Sequence, residues 1–158
     1  MKEKFISAVF LILLCAMPLA AQSTAQEIET LLATEAVTYA QAARLLLEAS
    51  DTFATFDPQE AFNYAKEQKW LPKKVTADTI ARLDIVSLLA VSSFKMKGGS
   101  MYSIFRPIGI TYVTAHFAYR VLKIKNIIQG RTNPSSKVSG RQLLFITEKM
   151  LSQSETGN

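Results

Sequence analysis

The stretch Val37–Leu47, VTYAQAARLLL, decides the fold of this chain. A hydroxyl residue, Thr38, stands three positions before Gln41, and an apolar run follows. In this capping-box pattern the threonine side chain accepts a hydrogen bond from the third backbone N–H of a helix. The glutamine side chain accepts one from the backbone N–H of the cap residue. The stretch therefore predicts a helix that begins directly after Thr38.

Two further segments open in a similar way. Val75 and Thr76 stand before an apolar run that contains IARL, and Val138 and Ser139 stand before LLFI. Each opening places a β-branched residue and then a hydroxyl residue ahead of an apolar helical pattern. Together with the opening at Thr38, they indicate a degenerate internal repeat with three helix starts.

The composition favours one packed domain. The 158 residues are enough for a single domain. With 49% hydrophobic and 20% charged residues, the chain can bury a core. The net charge of +5 comes from scattered lysines and arginines without a dense basic block, so no nucleic-acid partner is expected. This surplus represents either solvated helix faces or a weak attraction to an anionic polymer or membrane surface.

The N-terminal residues 1–21 have the pattern of a cleavable export signal. Two lysines precede the uncharged run 5–21, which contains a proline and ends in small residues. Cleavage near Ala21 would also remove Cys15, the sole cysteine, so the exported domain would have no disulfide. We therefore expect export to the periplasm or cell envelope, an N-terminal segment at 22–35, and no transmembrane segment after cleavage.

Apolar residues at helical spacing predict the remaining elements, and no segment alternates as a strand would. The expected helices cover 26–36, 39–50, a segment from Pro58 that ends before Pro72, 76–94, 111–125 and 139–151. The predicted fold class is all-α: a small bundle of five to six short helices in a domain at 36–151. A disordered polar tail is expected at 152–158.

The same spacing predicts which side chains are buried. The helix from Thr76 is expected to be the longest and the most central, with Ile80 facing inward and with Arg82 and Asp84 facing water. Two phenylalanines, Phe53 and Phe56, are expected to pack under a turn. The inward face of the helix at 111–125 is predicted to consist of Val113, Phe117, Val121 and Ile124.

These helix starts resemble those of the S-layer homology family, a helical cell-envelope module usually found as three tandem units. Residues 119–134, YRVLKIKNIIQGRTNP, which run on to Ser139, look like the helix, Ile-Ile-x-Gly turn and loop of that family. Residues 64–73, YAKEQKWLPK, resemble the corresponding element between the first two starts. The resemblance covers about 36–151 and implies an all-α envelope domain with affinity for a cell-wall glycan.

The chain departs from this family at the position that binds the glycan. In the family an arginine follows the hydroxyl residue of each start, whereas this sequence has Tyr39, Ala77 and Gly140 there. None of the three can make a charge-assisted contact to a carboxylate. Arg141 comes one residue later, which rotates it by about 100° around a helix. The resemblance thus implies the fold and the envelope setting more directly than the carbohydrate chemistry.

A candidate ligand or partner surface is aromatic and basic. Its predicted members are Tyr102, Phe105, Arg106, Tyr119, Arg120, Arg131 and Arg141. Such rings either pack in a core, stack on sugar faces or dock a partner. Trp70 is interpreted as an anchor of its helix rather than as a ligand platform.

No catalytic, metal or cofactor site is predicted. His116 is the sole histidine, and the spacing offers it no paired nucleophile or carboxylate. One histidine without a mature cysteine or a carboxylate cluster does not form a typical metal site.

Two functions remain open. The first is an exported, non-enzymatic envelope module that binds the cell wall or another envelope polymer. The second is a structural or protein-interaction component of a periplasmic assembly, such as an envelope scaffold or an accessory of periplasmic flagella, that has lost glycan binding. An enzyme is disfavoured because no catalytic set of residues is apparent.

Overall fold

The computed structural model describes residues 26–96 and 111–156, and their fold is all-α, as predicted. Six helices are present in these ranges and no strands, only isolated bridges. The helices are α1 (26–33), α2 (Tyr39–Ala49), α3 (Pro58–Glu67), α4 (Leu83–Ser93), α5 (Thr111–Ile124) and α6 (Gly140–Thr156). The predicted signal at 1–21 lies outside the described residues.

The capping box at the start of α2 is confirmed. Gln41 N–H donates to Thr38 Oγ1 at 3.3 Å, and Thr38 N–H donates to Gln41 Oε1 at 2.9 Å. These bonds satisfy two backbone donors that would otherwise lack partners at the helix end. The apolar face of α2 then enters the core, where Leu46 and Leu47 are fully buried.

Replacing Thr38 with alanine is expected to lower the free energy of unfolding by about 1 kcal/mol, because the cap acceptor is lost. Urea unfolding followed by circular dichroism measures the effect. Thr76→Ala is the matched control, since Thr76 is exposed and caps no helix; we expect a change within about 0.5 kcal/mol there. An equal loss in the two variants would contradict the assignment of Thr38 as the helix start.

The start of α3 is also confirmed. Asp57 is its N-cap and accepts from Gln59 N–H at 2.8 Å, while Pro58 occupies the first turn. The helix ends at Glu67, before the left-handed Lys69. The expectation for the preceding turn is half right: Phe53 is partly buried, but Phe56 is 93% exposed.

The predicted helix start at Thr76 is wrong, because α4 begins at Leu83 with Arg82 as its N-cap. The residues before Leu83 belong to extended and turn segments whose carbonyls serve the first turn of α2. Tyr39 N–H donates to Thr79 at 3.0 Å, and Ala40 N–H donates to Ala77 at 3.1 Å. Long-range pairing has thus taken the backbone groups that a longer helix would need.

Two burial predictions around this start are wrong as well. Ile80 is 41% exposed, because it lies before the helix rather than on its inner face. Asp84 is 5% exposed instead of facing water. Its carboxylate is paired with Arg82 at 2.7 Å and accepts a hydrogen bond from Ile85 N–H at 2.8 Å. The burial of this acid is therefore compensated by a charge and a hydrogen bond.

A ring of three backbone hydrogen bonds joins the residues before α2, α4 and α6. Val37 N–H donates to Val138 at 2.8 Å, Ala81 N–H to Val37 at 2.8 Å, and Val138 N–H to Ala81 at 3.1 Å. Each residue therefore both donates to and accepts from another member of the ring, and all three are fully buried. The three helices consequently start around one common point.

A second set of bonds, donated two residues later in the chain, joins the same three starts in the opposite cyclic direction. In each case the first N–H of a helix donates to the segment that precedes another helix start. The donor and acceptor residues are Tyr39 and Thr79 at 3.0 Å, Leu83 and Ser136 at 2.9 Å, and Gly140 and Thr34 at 2.9 Å. The chain therefore contains three equivalent helix starts, at Thr38, Arg82 and Ser139 rather than at Thr38, Thr76 and Ser139.

Helix α4 is enclosed on all sides, as expected, because each of its eleven residues is buried. The prediction that it is the longest helix is wrong, since α5 has 14 residues and α6 has 17. Helix α4 packs against α5 through a face that differs from the predicted one. Among residues 113–124 of α5, the buried ones are Thr114, Ala115, Ala118, Tyr119 and Leu122, whereas Val113 is 37% and Ile124 is 80% exposed. Ala115 and Ala118 on the buried face let the two helices approach closely. The small size of these side chains, rather than their hydrophobicity, therefore determines which face of α5 is buried.

The last helix, α6, is longer than predicted. It has 17 residues and continues to Thr156, so residues 152–156 are helical where a disordered tail was expected. Its apolar face, with Leu143, Ile146 and Met150 buried, closes the core.

Candidate functional site

Four of the seven residues of the predicted ligand surface lie in the described ranges. Tyr119 is 7% exposed, and its hydroxyl lies 2.8 Å from both the carbonyl and the hydroxyl oxygen of Thr132, so it fixes the loop after α5. Arg120, Arg131 and Arg141 are exposed. The remaining members, Tyr102, Phe105 and Arg106, lie outside the described residues.

One of these arginines does lie in a groove, which we call the Arg141 groove. It has a volume of about 320 Å³ and lies between the turn after α5 and the first turns of α6. Its lining residues are Ile127, Ile128, Gln129, Ser139, Arg141, Gln142, Phe145 and Ile146. Arg141 was predicted as a ligand residue; its neighbours in the groove were not.

Both walls of the Arg141 groove are formed by local backbone features: the turn that ends α5 and the N-cap that begins α6. Asn126 takes a left-handed conformation (φ 56°) that ends α5, a conformation asparagine tolerates better than most residues. The following N–H groups, of Ile127 and Ile128, both donate to Leu122, at 2.9 and 3.2 Å. Across the groove, Ser139 Oγ accepts from Gln142 N–H at 3.2 Å and caps α6. Arg141 is thereby held in the first turn of that helix.

The electrostatics of the Arg141 groove favour an anion. Of the described residues that line it, Arg141 alone carries a charge, and none of the ion pairs among described residues involves it. The N-terminal end of α6 adds a partial positive charge. The amides of Gln129 and Gln142 supply further hydrogen-bond donors. The arrangement can therefore bind a ligand that has both an anionic group and an apolar part. The carboxylate or phosphate would contact Arg141, and the apolar part would contact Phe145.

A second, larger concavity lies where several helices end, and we call it the C-terminal cleft. Its volume is about 610 Å³. It is lined by Ala49, Ser50, Asp51, Thr52, Tyr64, Gln68, Trp70, Ser93, Phe94, Lys95, Leu151 and Ser154. Trp70, interpreted from the sequence as a helix anchor, is only partly buried and borders this cleft. The sequence signal that could have indicated this cleft is the short spacing between Tyr64, Gln68 and Trp70.

The sole histidine and the acidic side chains do not form a metal-binding group in the described ranges. His116 is exposed, and its ring lies 6.5 Å from that of Tyr119. Within 26–96 and 111–156, no three His, Cys, Asp or Glu side chains are grouped so that they could hold a metal ion. In the same part of the chain, no helix has the length and apolar content needed to cross a bilayer.

Comparisons of the chain with protein-family models, with curated proteins and with solved structures give no match.

Proposed function

We propose that this chain is an exported, non-catalytic cell-envelope module of S-layer-homology type that binds an anionic wall or envelope polymer. The observation that carries the proposal is Arg141, an exposed cation without an ion-pair partner among the described residues, in a groove with an apolar floor. Arginine presents a planar fork of donors that matches carboxylate and phosphate groups. The net charge of +5 favours the same kind of ligand.

The arrangement of the helix starts supports the family part of the proposal. Three tandem units of the kind the sequence resembles would place three similar starts in one domain. The cyclic bonds among Val37, Ala81 and Val138 join three such starts. The charge is supplied at Arg141 instead of at the position that carries the family's arginine.

A second candidate function is a structural or protein-interaction component of a periplasmic assembly. It is favoured by the positions directly after the three caps, where the resemblance would place glycan-binding arginines. Tyr39 is 1% and Leu83 is 0% exposed, and Gly140 is also buried. These positions are used for packing. Phe56 and Ile124, which are 93% and 80% exposed, offer apolar contacts for a protein partner.

Co-sedimentation of the mature domain with peptidoglycan sacculi tests the first function. We expect pelleting at low salt that weakens as salt screens the attraction. Arg141→Gln should weaken binding by about tenfold or more, because a hydrogen bond to a charged group is lost. Arg120→Gln, an exposed arginine that does not line the groove, is the matched control and should pellet like the wild type.

Other outcomes of this experiment favour other functions. An absence of pelleting at low salt would contradict wall binding, and a pull-down from the native envelope fraction would then identify a protein partner. Equal losses in Arg141→Gln and Arg120→Gln would assign the binding to general charge rather than to the groove. Release of soluble fragments from the sacculi would contradict the non-catalytic part of the proposal.

A further inference from the structure

We propose that the C-terminal cleft is a second binding site, for an uncharged saccharide, with Trp70 and Tyr64 as its aromatic wall. Its volume of about 610 Å³ lies within the range of about 300–1,000 Å³ that is common for small-ligand sites. The proposal does not depend on the Arg141 groove. The two sites involve opposite ends of α6, since Arg141 and Leu151 are ten positions apart, a separation of about 15 Å along a helix.

The cleft is built by contacts between different helices. Thr52 Oγ1 donates to the carbonyl of Ser93 at 2.9 Å, which ties the end of α2 to the end of α4. Phe53, which follows α2, stacks on Tyr64 of α3 with 4.5 Å between ring centroids and 4° between planes. Trp70 N–H donates to Ala65 at 3.0 Å and turns the chain back after α3. The positions of the aromatic residues are therefore set before any ligand arrives.

The two aromatic rings form a corner suited to a sugar. Trp70 meets Tyr64 with 6.0 Å between centroids and 79° between planes, and both side chains are partly buried while they line the cleft. The faces of aromatic rings are electron-rich. They attract the weakly positive C–H groups on the apolar face of a sugar ring. One face of Tyr64 is already covered by Phe53, so the proposal assigns the main stacking role to Trp70, which also lines the cleft.

The polar groups around these rings suit hydroxyls rather than a charged ligand. Asp51, Gln68, Lys95 and Ser154 line the cleft and are exposed. Together they offer a carboxylate acceptor, an ammonium donor, and an amide and a hydroxyl that can do both. Asp51 and Lys95 form no ion pair among the described residues. Their opposite charges balance, so the cleft has donors and acceptors without a net preference for a cation or an anion.

The sole tryptophan provides a local readout, because Trp70 is the only one in the chain. Titration of the mature domain with triacetylchitotriose, cellotriose or maltotriose should give a saturable change in tryptophan emission for at least one of these neutral probes. Gln68→Ala should weaken that binding by about fivefold, since one hydrogen bond to the sugar is lost. Isothermal titration calorimetry of the same samples gives an affinity that does not rely on fluorescence.

Arg141→Gln is the matched control and should bind the neutral sugars like the wild type, so a failure of the groove proposal leaves this one intact. Circular dichroism verifies that Gln68→Ala is folded, as expected for an exposed side chain beyond the end of α3. No saturable change with any of the three probes would overturn the proposal. Unchanged affinity in both Gln68→Ala and Asp51→Asn would overturn it as well, because the binding would then lie elsewhere.

Discussion

Replacing Gly140 with alanine should lower the free energy of unfolding by about 2–4 kcal/mol. A Cβ atom at this position would overlap the carbonyl oxygen of Leu31 and lie 2.6 Å from its carbonyl carbon. Overpacking of a buried site costs about 1–3 kcal/mol. The backbone cannot move away without weakening the bond from Gly140 N–H to Thr34 at 2.9 Å, which adds about 1 kcal/mol. Urea unfolding followed by circular dichroism measures the loss.

Gly130→Ala provides the matched control, because it adds the same methyl group where there is room. Gly130 has a φ of +71° and nothing within 4 Å of an added Cβ. Its replacement should therefore cost only the left-handed backbone strain, about 1 kcal/mol. If Gly140→Ala costs no more than this control, then α1 does not pack against the start of α6 as described.

This close contact gives a physical reason for a missing side chain. By the resemblance to the S-layer homology family, an arginine would be expected at position 140. The backbone of Leu31 occupies the space that even a methyl group would need. At the other two starts, Tyr39 and Leu83 fill the equivalent position with buried side chains. A ligand in this domain would have to be bound by other residues, which is consistent with the proposed role of Arg141.

Helix starts were predictable where the signal was local. The capping box at Thr38, the Asp57–Pro58 opening and the cap at Ser139 all depend on side chains within three residues of the backbone groups they satisfy. The opening at Thr76 has a similar pattern but begins no helix. Its hydroxyl lies 2.7 Å from that of Thr79, in a turn. Its conformation is determined by hydrogen bonds that Tyr39 and Ala40 of α2 donate to Thr79 and Ala77. These donors are far away in the sequence.

The buried face of α5 and the two clefts were less predictable. Side-chain hydrophobicity predicts that Val113 and Ile124 are buried. The residues of α5 that pack against α4 are instead the small Ala115 and Ala118. The sequence did single out Arg141, but the apolar floor of its groove depends on how the turn after α5 folds against α6. The C-terminal cleft is lined by residues from the ends of four helices. These residues are far apart in the sequence and come together only when the chain folds.

The second large effect is expected in α4, the helix that is buried along its whole length. A helix with one exposed face can lose a side chain from that face at little cost, but every residue of α4 is buried. Ile85 is 0% exposed and lies in the first turns of this helix. Its contacts are therefore with packed side chains rather than with water, and the surrounding core can collapse only partly if the side chain is shortened.

Ile85→Ala should accordingly lower the free energy of unfolding by about 2–5 kcal/mol, from lost burial and from the cavity left behind. Ile124→Ala makes the same chemical change at the end of α5, where the side chain is 80% exposed, and should change stability by about 0.5 kcal/mol or less. Both are measured by urea unfolding. A loss of about 2–5 kcal/mol is a large part of the roughly 5–15 kcal/mol that stabilises a typical domain. Similar values for the two variants would contradict the burial of α4, because the same chemical change is made at a buried and at an exposed isoleucine.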